Sequence, residues 1–315
     1  MQKLGLLLRE FRDRLSTDVP LPPDCDLFFC SEEAPTVCLG SMIHGNEFGS
    51  LPALVELQRQ LREGRIQPQV NIFLLLGNGA AALQNQRFLE EDLNRVFTFD
   101  RTAASLERRR AEELRPILDQ VDTFLDIHQT QTPTESAFYT FPWTNELGEW
   151  ARALGAAPLG LTRASGASFS PGTCCLDEYV RARGKVGLTV EIGFRGFDEL
   201  QEERAFRAMC RFIELSEALL VRGESLDSYV QAAASIGWYQ TSYIETQFAA
   251  GSELRPGLTN WLEVKKGEVL SRPGSPVLKA PESGRILFPK YAQPGQPLPP
   301  ELYRLATPIA DPEQL

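Results

Sequence analysis

Thr36-Val37-Cys38-Leu39-Gly40-Ser41-Met42-Ile43-His44-Gly45-Asn46-Glu47 is the stretch on which the fold reading turns. Thr36 to Ile43 reads as a buried strand that stops at His44, and Gly49 to Leu61 follows as a helix with Leu51, Leu54, Val55, Leu57 and Leu61 turned inward. The same alternation recurs outward from it. Val70 to Leu76, Val121 to Ile127, Ala137 to Phe141 and Val186 to Ile192 are strand-length apolar runs, and Thr102 to Leu118, Asn145 to Leu154 and Glu199 to Leu220 are helical. Strands alternating with helices predict an α/β fold with a largely parallel sheet covered on both faces, in which ligands collect beyond the carboxyl ends of strands. Past about Gly223 the texture changes to short β-prone runs, Ile236 to Thr246, Trp261 to Val264 and Arg285 to Phe288, split by glycine and proline. These signals predict two domains, an α/β domain over 1–223 and a smaller β-rich C-terminal domain over 224–315.

The chain has 315 residues, 43% of them hydrophobic and 23% charged, which suits a soluble globular protein with a sizeable core. A net charge of −10 argues against a nucleic-acid backbone or an anionic membrane as partner. Met1 to Leu15 sets Leu4, Leu7, Leu8, Phe11 and Leu15 at helical spacing among charges, an amphipathic helix and not a secretory signal. No apolar run approaches the roughly 18 residues needed to span a bilayer, so a cytoplasmic location is expected. The cysteines, at 25, 30, 38, 174, 175 and 210, have no CxxC spacing; Cys38 reads as core. A homo-oligomer is compatible with all of this.

Only two histidines occur, His44 and His128, the second at the end of Phe124-Leu125-Asp126-Ile127-His128. With Glu47 they make two imidazoles and a carboxylate, the ligand set of a catalytic zinc that keeps its fourth position for water. One Zn2+ per chain is the cofactor expected. Each residue has a plainer reading, a hydrogen-bonded turn or strand-end histidine and a helix N-terminal carboxylate, but the three jointly point to metal and to hydrolysis. Gly45 is expected to permit a sharp bend between His44 and Glu47.

Leu188-Thr189-Val190-Glu191-Ile192-Gly193 puts a carboxylate inside an apolar strand, where an unpaired charge is costly. Glu191 reads as a general base that takes a proton from metal-bound water and returns it to a leaving amine; a buried ion pair to an arginine is the alternative. Arg87-Phe88-Leu89-Glu90-Glu91-Asp92-Leu93-Asn94-Arg95 carries two arginines and an asparagine able to hold anions, or else is a solvated loop.

His44-Gly45-Asn46-Glu47, Asp92-Leu93-Asn94-Arg95, Asp126-Ile127-His128 and Val190-Glu191-Ile192-Gly193 resemble, in order and spacing, four motifs of the succinylglutamate desuccinylase and aspartoacylase family. That family is a branch of the zinc-carboxypeptidase-like fold, and the resemblance covers most of the chain. It implies a mixed sheet flanked by helices, with a small C-terminal domain narrowing the active-site entrance. It implies His44, Glu47 and His128 as zinc ligands, Glu191 as catalytic base and acid, and Arg87 as the group that polarises the scissile carbonyl. Asn94, Arg95 and Arg181 would bind substrate carboxylates, Asp92 would accept a hydrogen bond from a ligand histidine, and Tyr291 would reach the substrate from the C-terminal domain. For Arg181 the alternative is a solvated face of a Thr173 to Arg183 helix. Gln129 to Glu135, after His128, departs from the segment found in dedicated succinylglutamate desuccinylases, and the tyrosine that aspartoacylases carry before their second arginine is displaced, with Asp177 near its place.

The activity implied is hydrolysis of the amide bond of a small-molecule N-acyl amino acid. Two rivals stand beside it: a carboxypeptidase-type peptidase or cell-wall peptide amidase with the same zinc machinery, and a non-catalytic zinc- or ligand-binding module. A retained Glu191 argues against the last.

Overall fold

The computed structural model describes residues 1–16, 19–98, 105–163, 167–231, 233–291 and 299–310. They build one sheet of eleven strands in the order β1-β3-β2-β4-β7-β5-β6-β8-β11-β10-β9. The centre is parallel: β2 (Thr36–Ser41) lies between β3 (Asn71–Leu76) and β4 (Thr123–Thr130), and β7 (Val186–Phe194) follows β4. β1 (Cys25–Phe28) closes one side antiparallel to β3, and β5 (Phe138–Thr140) pairs antiparallel with β7 and parallel with β6 (Leu159–Thr162). The sheet is therefore mixed, as the resemblance implies. β1 and β6, each four residues long, are not among the strands read from the sequence.

Alternation along the central strands divides the core between two faces. Val37 and Leu39, Ile72 and Leu74, Leu125 and Ile127, and Leu188, Val190 and Ile192 face a layer built by α1 (Gln2–Asp13), α2 (Leu51–Arg62), α5 (Asn145–Leu154) and α7 (Glu199–Ser216). Cys38, Phe73, Leu75 and Phe124 face α4 (Leu106–Leu118) and α6 (Leu176–Arg181). Each large side chain so buried contributes about 1.5–3 kcal/mol, which is why all-apolar strands with both faces covered are favoured here. α2, α4 and α5 match the expected helices closely; the Thr102 onset expected for α4 lies outside the described residues.

α8 (Asp227–Val230) leads into β8 (Gly237–Ile244), which pairs in parallel with β6, so the sheet runs without a break across the expected boundary at Gly223. β11 (Arg304–Pro308), β10 (Gly284–Leu287) and β9 (Glu263–Val264) then extend it antiparallel. This region has a core of its own around Leu254, Leu270, Ile286 and Tyr303. Asn260, fully buried, fastens it to the centre: its Nδ2 donates to Thr132 O and Oγ1, both at 3.0 Å, and its Oδ1 accepts from Phe288 N at 2.7 Å. A short α3 (Gly79–Leu83), capped by Asn78, lies beneath the His44 turn. No helix among the described residues is long and apolar enough to cross a membrane.

Candidate metal centre and active site

The strand-to-turn reversal that presents His44 happens at Met42, a buried non-glycine residue at φ 54°. Gly45 does not sit in the left-handed region; it is needed for close approach, because a Cβ there would run into the backbone of Ala81 and Ala82 at the start of α3. The chain thus bends twice, at Met42 and again in the turn through Gly45 and Asn46, where the glycine is needed for its small size and not for a left-handed φ. Glu47 N donates to His44 O at 3.0 Å, which folds the turn so that both side chains face one point.

His128 and Glu191 arrive from neighbouring strands. They are directly paired in the parallel β4/β7 register, as are Asp126 and Thr189. All four side chains therefore project to the same face as Phe124, toward α4 and α6, at the carboxyl end of the sheet. The register slips between His128 and Thr130, and the bulged Gln129 turns its N–H away from the ladder to donate to Glu47 Oε2 at 3.2 Å.

His44 Nδ1 is 2.9 Å from Glu47 Oε1, His128 Nδ1 is 2.8 Å from Glu47 Oε2, and the two Nδ1 atoms are 3.2 Å apart. The outer nitrogens are both committed: His44 Nε2 to Asp92 Oδ1 and His128 Nε2 to Asp126 Oδ2, each at 2.9 Å. With Nε2–H donated outward, both Nδ1 atoms turn lone pairs inward onto the same point as a carboxylate. Three converging acceptors need a positive charge between them. Tetrahedral zinc with bonds of about 2.0–2.1 Å sets its ligand atoms ~3.3 Å apart, close to the spacing found here. The three residues, all buried, thus fit a metal ion. Burial alone would lower the proton affinity of His128, but Asp126 and Glu47 outweigh it and raise the pKa well above the usual histidine value. The field that favours a proton there favours a cation too. Burial likewise opposes the Asp92 charge, yet His44 and Arg87 hold its carboxyl well below the ordinary range.

Glu191 is buried, and its Oε2 has no hydrogen-bond partner. Burial first, then the negative charge of Glu47, pushes its carboxyl up from 4.5 to about 8. No ion pair to an arginine holds it among the described residues. Arg87 bridges the site's edge, with Nη1 on Glu47 Oε1 at 2.8 Å and Nη2 on Asp92 Oδ2 at 3.1 Å.

A cavity of about 580 Å³ opens over these groups. Arg87, Asp92, Asn94 and Arg95 all line it. Asn94 Oδ1 accepts from Leu176 N at 2.9 Å, and Arg95 Nη1 donates to Asn94 O at 2.6 Å. Arg181 does not line it. Its Nη1 is bound to Asp177 Oδ2 at 2.6 Å and to Gly187 O at 2.7 Å, so the carboxylate-gripping place expected for Arg181 is corrected: it reaches the cavity only through Asp177. Tyr291 also stands outside the lining, its hydroxyl donating to Leu258 O at 2.9 Å within the C-terminal core.

Several residues at the site were not anticipated in these places. Asp126 had a signal, since it shares a strand face with His128 two residues on. Gln131, whose Nε2 donates to Glu47 Oε1 at 2.8 Å, had none, and neither did the lining residues Arg163, Phe169, Phe288 and Lys290, which meet only through tertiary folding.

The profile described as succinylglutamate desuccinylase/aspartoacylase catalytic domain matches residues 33–216. The succinylglutamate desuccinylase of Serratia proteamaculans is 27% identical over 275 residues, 80% of this chain and 79% of its own. That of Pseudomonas aeruginosa strain UCBPP-PA14 is 26% identical over 282 residues, 80% and 83% of the two chains. Among solved structures, succinylglutamate desuccinylase from Vibrio parahaemolyticus superposes with a TM-score of 0.71 at 16% identity, covering 96% of this chain and 95% of that one, a likeness of fold.

Proposed function

The chain belongs to the succinylglutamate desuccinylase/aspartoacylase family of amide hydrolases, and from that premise we propose that it cleaves the amide bond of a small N-acyl amino acid with one zinc ion held by His44, Glu47 and His128. The observation that carries this reading is the inward convergence of two Nδ1 atoms and a carboxylate, with Glu191 beside His128 on the adjoining strand. When bound, zinc supplies Lewis acidity, which polarises a carbonyl and makes water a better nucleophile near neutral pH.

Asp92 and Asp126 fix the tautomer of both histidines, so that Nδ1 is free for the ion. Gln131 and the Gln129 N–H steady Glu47 from its outer side. Glu191 accepts a proton from the attacking water on its unpartnered Oε2 and passes it to the leaving nitrogen; the charge of a bound zinc ion would favour the ionised carboxylate needed for the first of these transfers. The Arg87 guanidinium, anchored by Glu47 and Asp92, donates to the carbonyl oxygen as negative charge develops. Arg95 and Asn94 orient a substrate carboxylate. We place the activity in the cytoplasm, consistent with cysteines that are all unpaired among the described residues.

The test is incubation of the zinc-loaded protein with N-succinyl, N-acetyl and N-formyl amino acids followed by amine detection. Turnover is expected, and Glu191→Gln should keep the metal while losing about 100-fold or more in rate. Peptide cleavage with silence across that panel would replace this reading by the peptidase.

A further inference from the structure

Glu107 stands in the first turn of α4, outside the cavity lining, and is only 1% exposed. A carboxylate buried this deeply is costly unless donors surround it, and four do. Its Oε1 accepts from Leu89 N at 2.7 Å and from Asn78 Nδ2 at 3.0 Å, and its Oε2 accepts from Glu90 N at 3.2 Å and Glu91 N at 3.1 Å. Three consecutive backbone N–H groups of the segment between Arg87 and Asp92 thus converge on one side chain. The grip is reciprocal. Glu90 Oε2 accepts from Leu106 N at 2.6 Å, and Glu91 Oε2 accepts from Ser105 Oγ and Arg108 Nε, both at 2.8 Å.

The segment so held has the metal centre at both its ends. Arg87 donates to Glu47 Oε1 and Asp92 accepts from His44 Nε2, while Arg87 O accepts from Gly45 N at 3.0 Å. Asn78 supplies the anchor: it caps α3 by accepting from Ala81 N at 3.0 Å, and Ala81 and Ala82 are the backbone on which Gly45 rests. Only an ionised carboxylate suits this place. Donors point at both oxygens, so a glutamine would set its own NH2 against N–H groups on one side, and aspartate is one methylene too short.

We propose that Glu107 is a positioning residue: its carboxylate fixes the Arg87–Asp92 segment, and through that segment it sets Asp92 on His44 and Arg87 beside the reacting carbonyl. The Arg87 half rests on the deacylase reading above; the Asp92 half needs only the metal site.

The first arm of the test uses no substrate. In chelator competition, Glu107→Gln should bind zinc about 3- to 10-fold more weakly than wild type, less than the loss of a direct histidine partner. In an Asp92→Asn background the same change should cost less than about twofold, because the link it works through is already cut. Hydrogen exchange of metal-stripped protein should quicken at Leu89, Glu90 and Glu91 and stay unchanged in the central strands. The second arm uses zinc-loaded protein and N-acetyl amino acids. Glu107→Gln should lower kcat about 10-fold or more, since a misplaced Arg87 weakens a contact made as charge develops. KM should stay within about threefold, because Asn94 is held separately by Leu176 N. With Arg87 already changed to alanine, the kcat loss should largely disappear. If Glu107→Gln does not fold, Glu91→Ala decides: that side chain is 36% exposed, its loss removes the return contacts to Ser105 and Arg108, and the same pattern is expected at about threefold.

Unchanged zinc affinity and exchange, or equal zinc losses with and without Asp92, would overturn the positioning role. Equal kcat losses with and without Arg87 would overturn its Arg87 half. Absence of turnover by wild type on every N-acyl amino acid would sink the deacylase reading alone, since the zinc and exchange results stand without it.

Discussion

Replacing Glu191 with glutamine in the metal-stripped protein should make it more stable. The wild-type carboxyl is buried beside Glu47, has an unpartnered Oε2, and is raised from 4.5 to about 8. A folded-state pKa above the unfolded one contributes stability that is complete below about 4.5 and is lost as pH rises to about 8. At pH 7 the fold must keep a proton that the unfolded chain has released, a cost of about 3 kcal/mol at ~1.4 kcal/mol per pH unit. Glutamine has the same shape and does not titrate. Urea unfolding of both metal-stripped proteins should therefore show a gap near zero at pH 4.5, opening to about 3 kcal/mol in favour of the variant at pH 7 and somewhat more at pH 8.5. The same substitution in zinc-loaded protein removes turnover, so stability and activity move in opposite directions. A gap that stays flat between pH 4.5 and 8.5 would refute the reasoning, because it would mean that Glu191 is neither desolvated nor opposed by Glu47.

Asp92→Asn and Asp126→Asn should each weaken zinc binding by about 10–100-fold, measured by chelator competition, since each removes the charge that orients one histidine; unchanged affinity would dismiss their part. Gly45→Ala should lower stability by about 1–3 kcal/mol through overlap with Ala81 and Ala82, read as a fall in Tm, and a neutral result would contradict the close approach. Arg181→Ala should cost about 3–5 kcal/mol by leaving the buried Asp177 unpaired, while KM for a single-carboxylate substrate changes little; a large KM effect in a stable variant would return Arg181 to direct substrate contact.

The parts of this protein legible in its sequence are those fixed by local pattern. Buried strands such as Asn71–Leu76 carry continuous apolar runs, here from Ile72 to Leu76, and α5 begins and ends where Thr144 and Gly155 cap it. His44, Glu47, His128 and Glu191 stood out because a polar group at the end of an apolar strand has few structural reasons to be there. What escaped was set by tertiary closure. Arg181 has motif-like spacing, but Asp177, one turn earlier on α6, and Gly187 O, at the start of β7, hold its Nη1 away from the cavity lining. Arg163, Phe169 and Lys290 carry no local signature, since they become one cluster only when β11 and the loop after β10 close against β8 and the chain beyond β6. The continuity of the sheet through β6 and β8 was hidden for the same reason: pairing partners are not written in either strand's own residues.

The central claim is that residues 44, 47 and 128 share one divalent ion. Its most direct measurement is a crystal structure of zinc-loaded protein with anomalous scattering recorded at the zinc edge. The account predicts one anomalous peak per chain, within about 2.3 Å of His44 Nδ1, His128 Nδ1 and a Glu47 oxygen. A peak elsewhere, or none at this cluster in protein saturated with zinc, would contradict it.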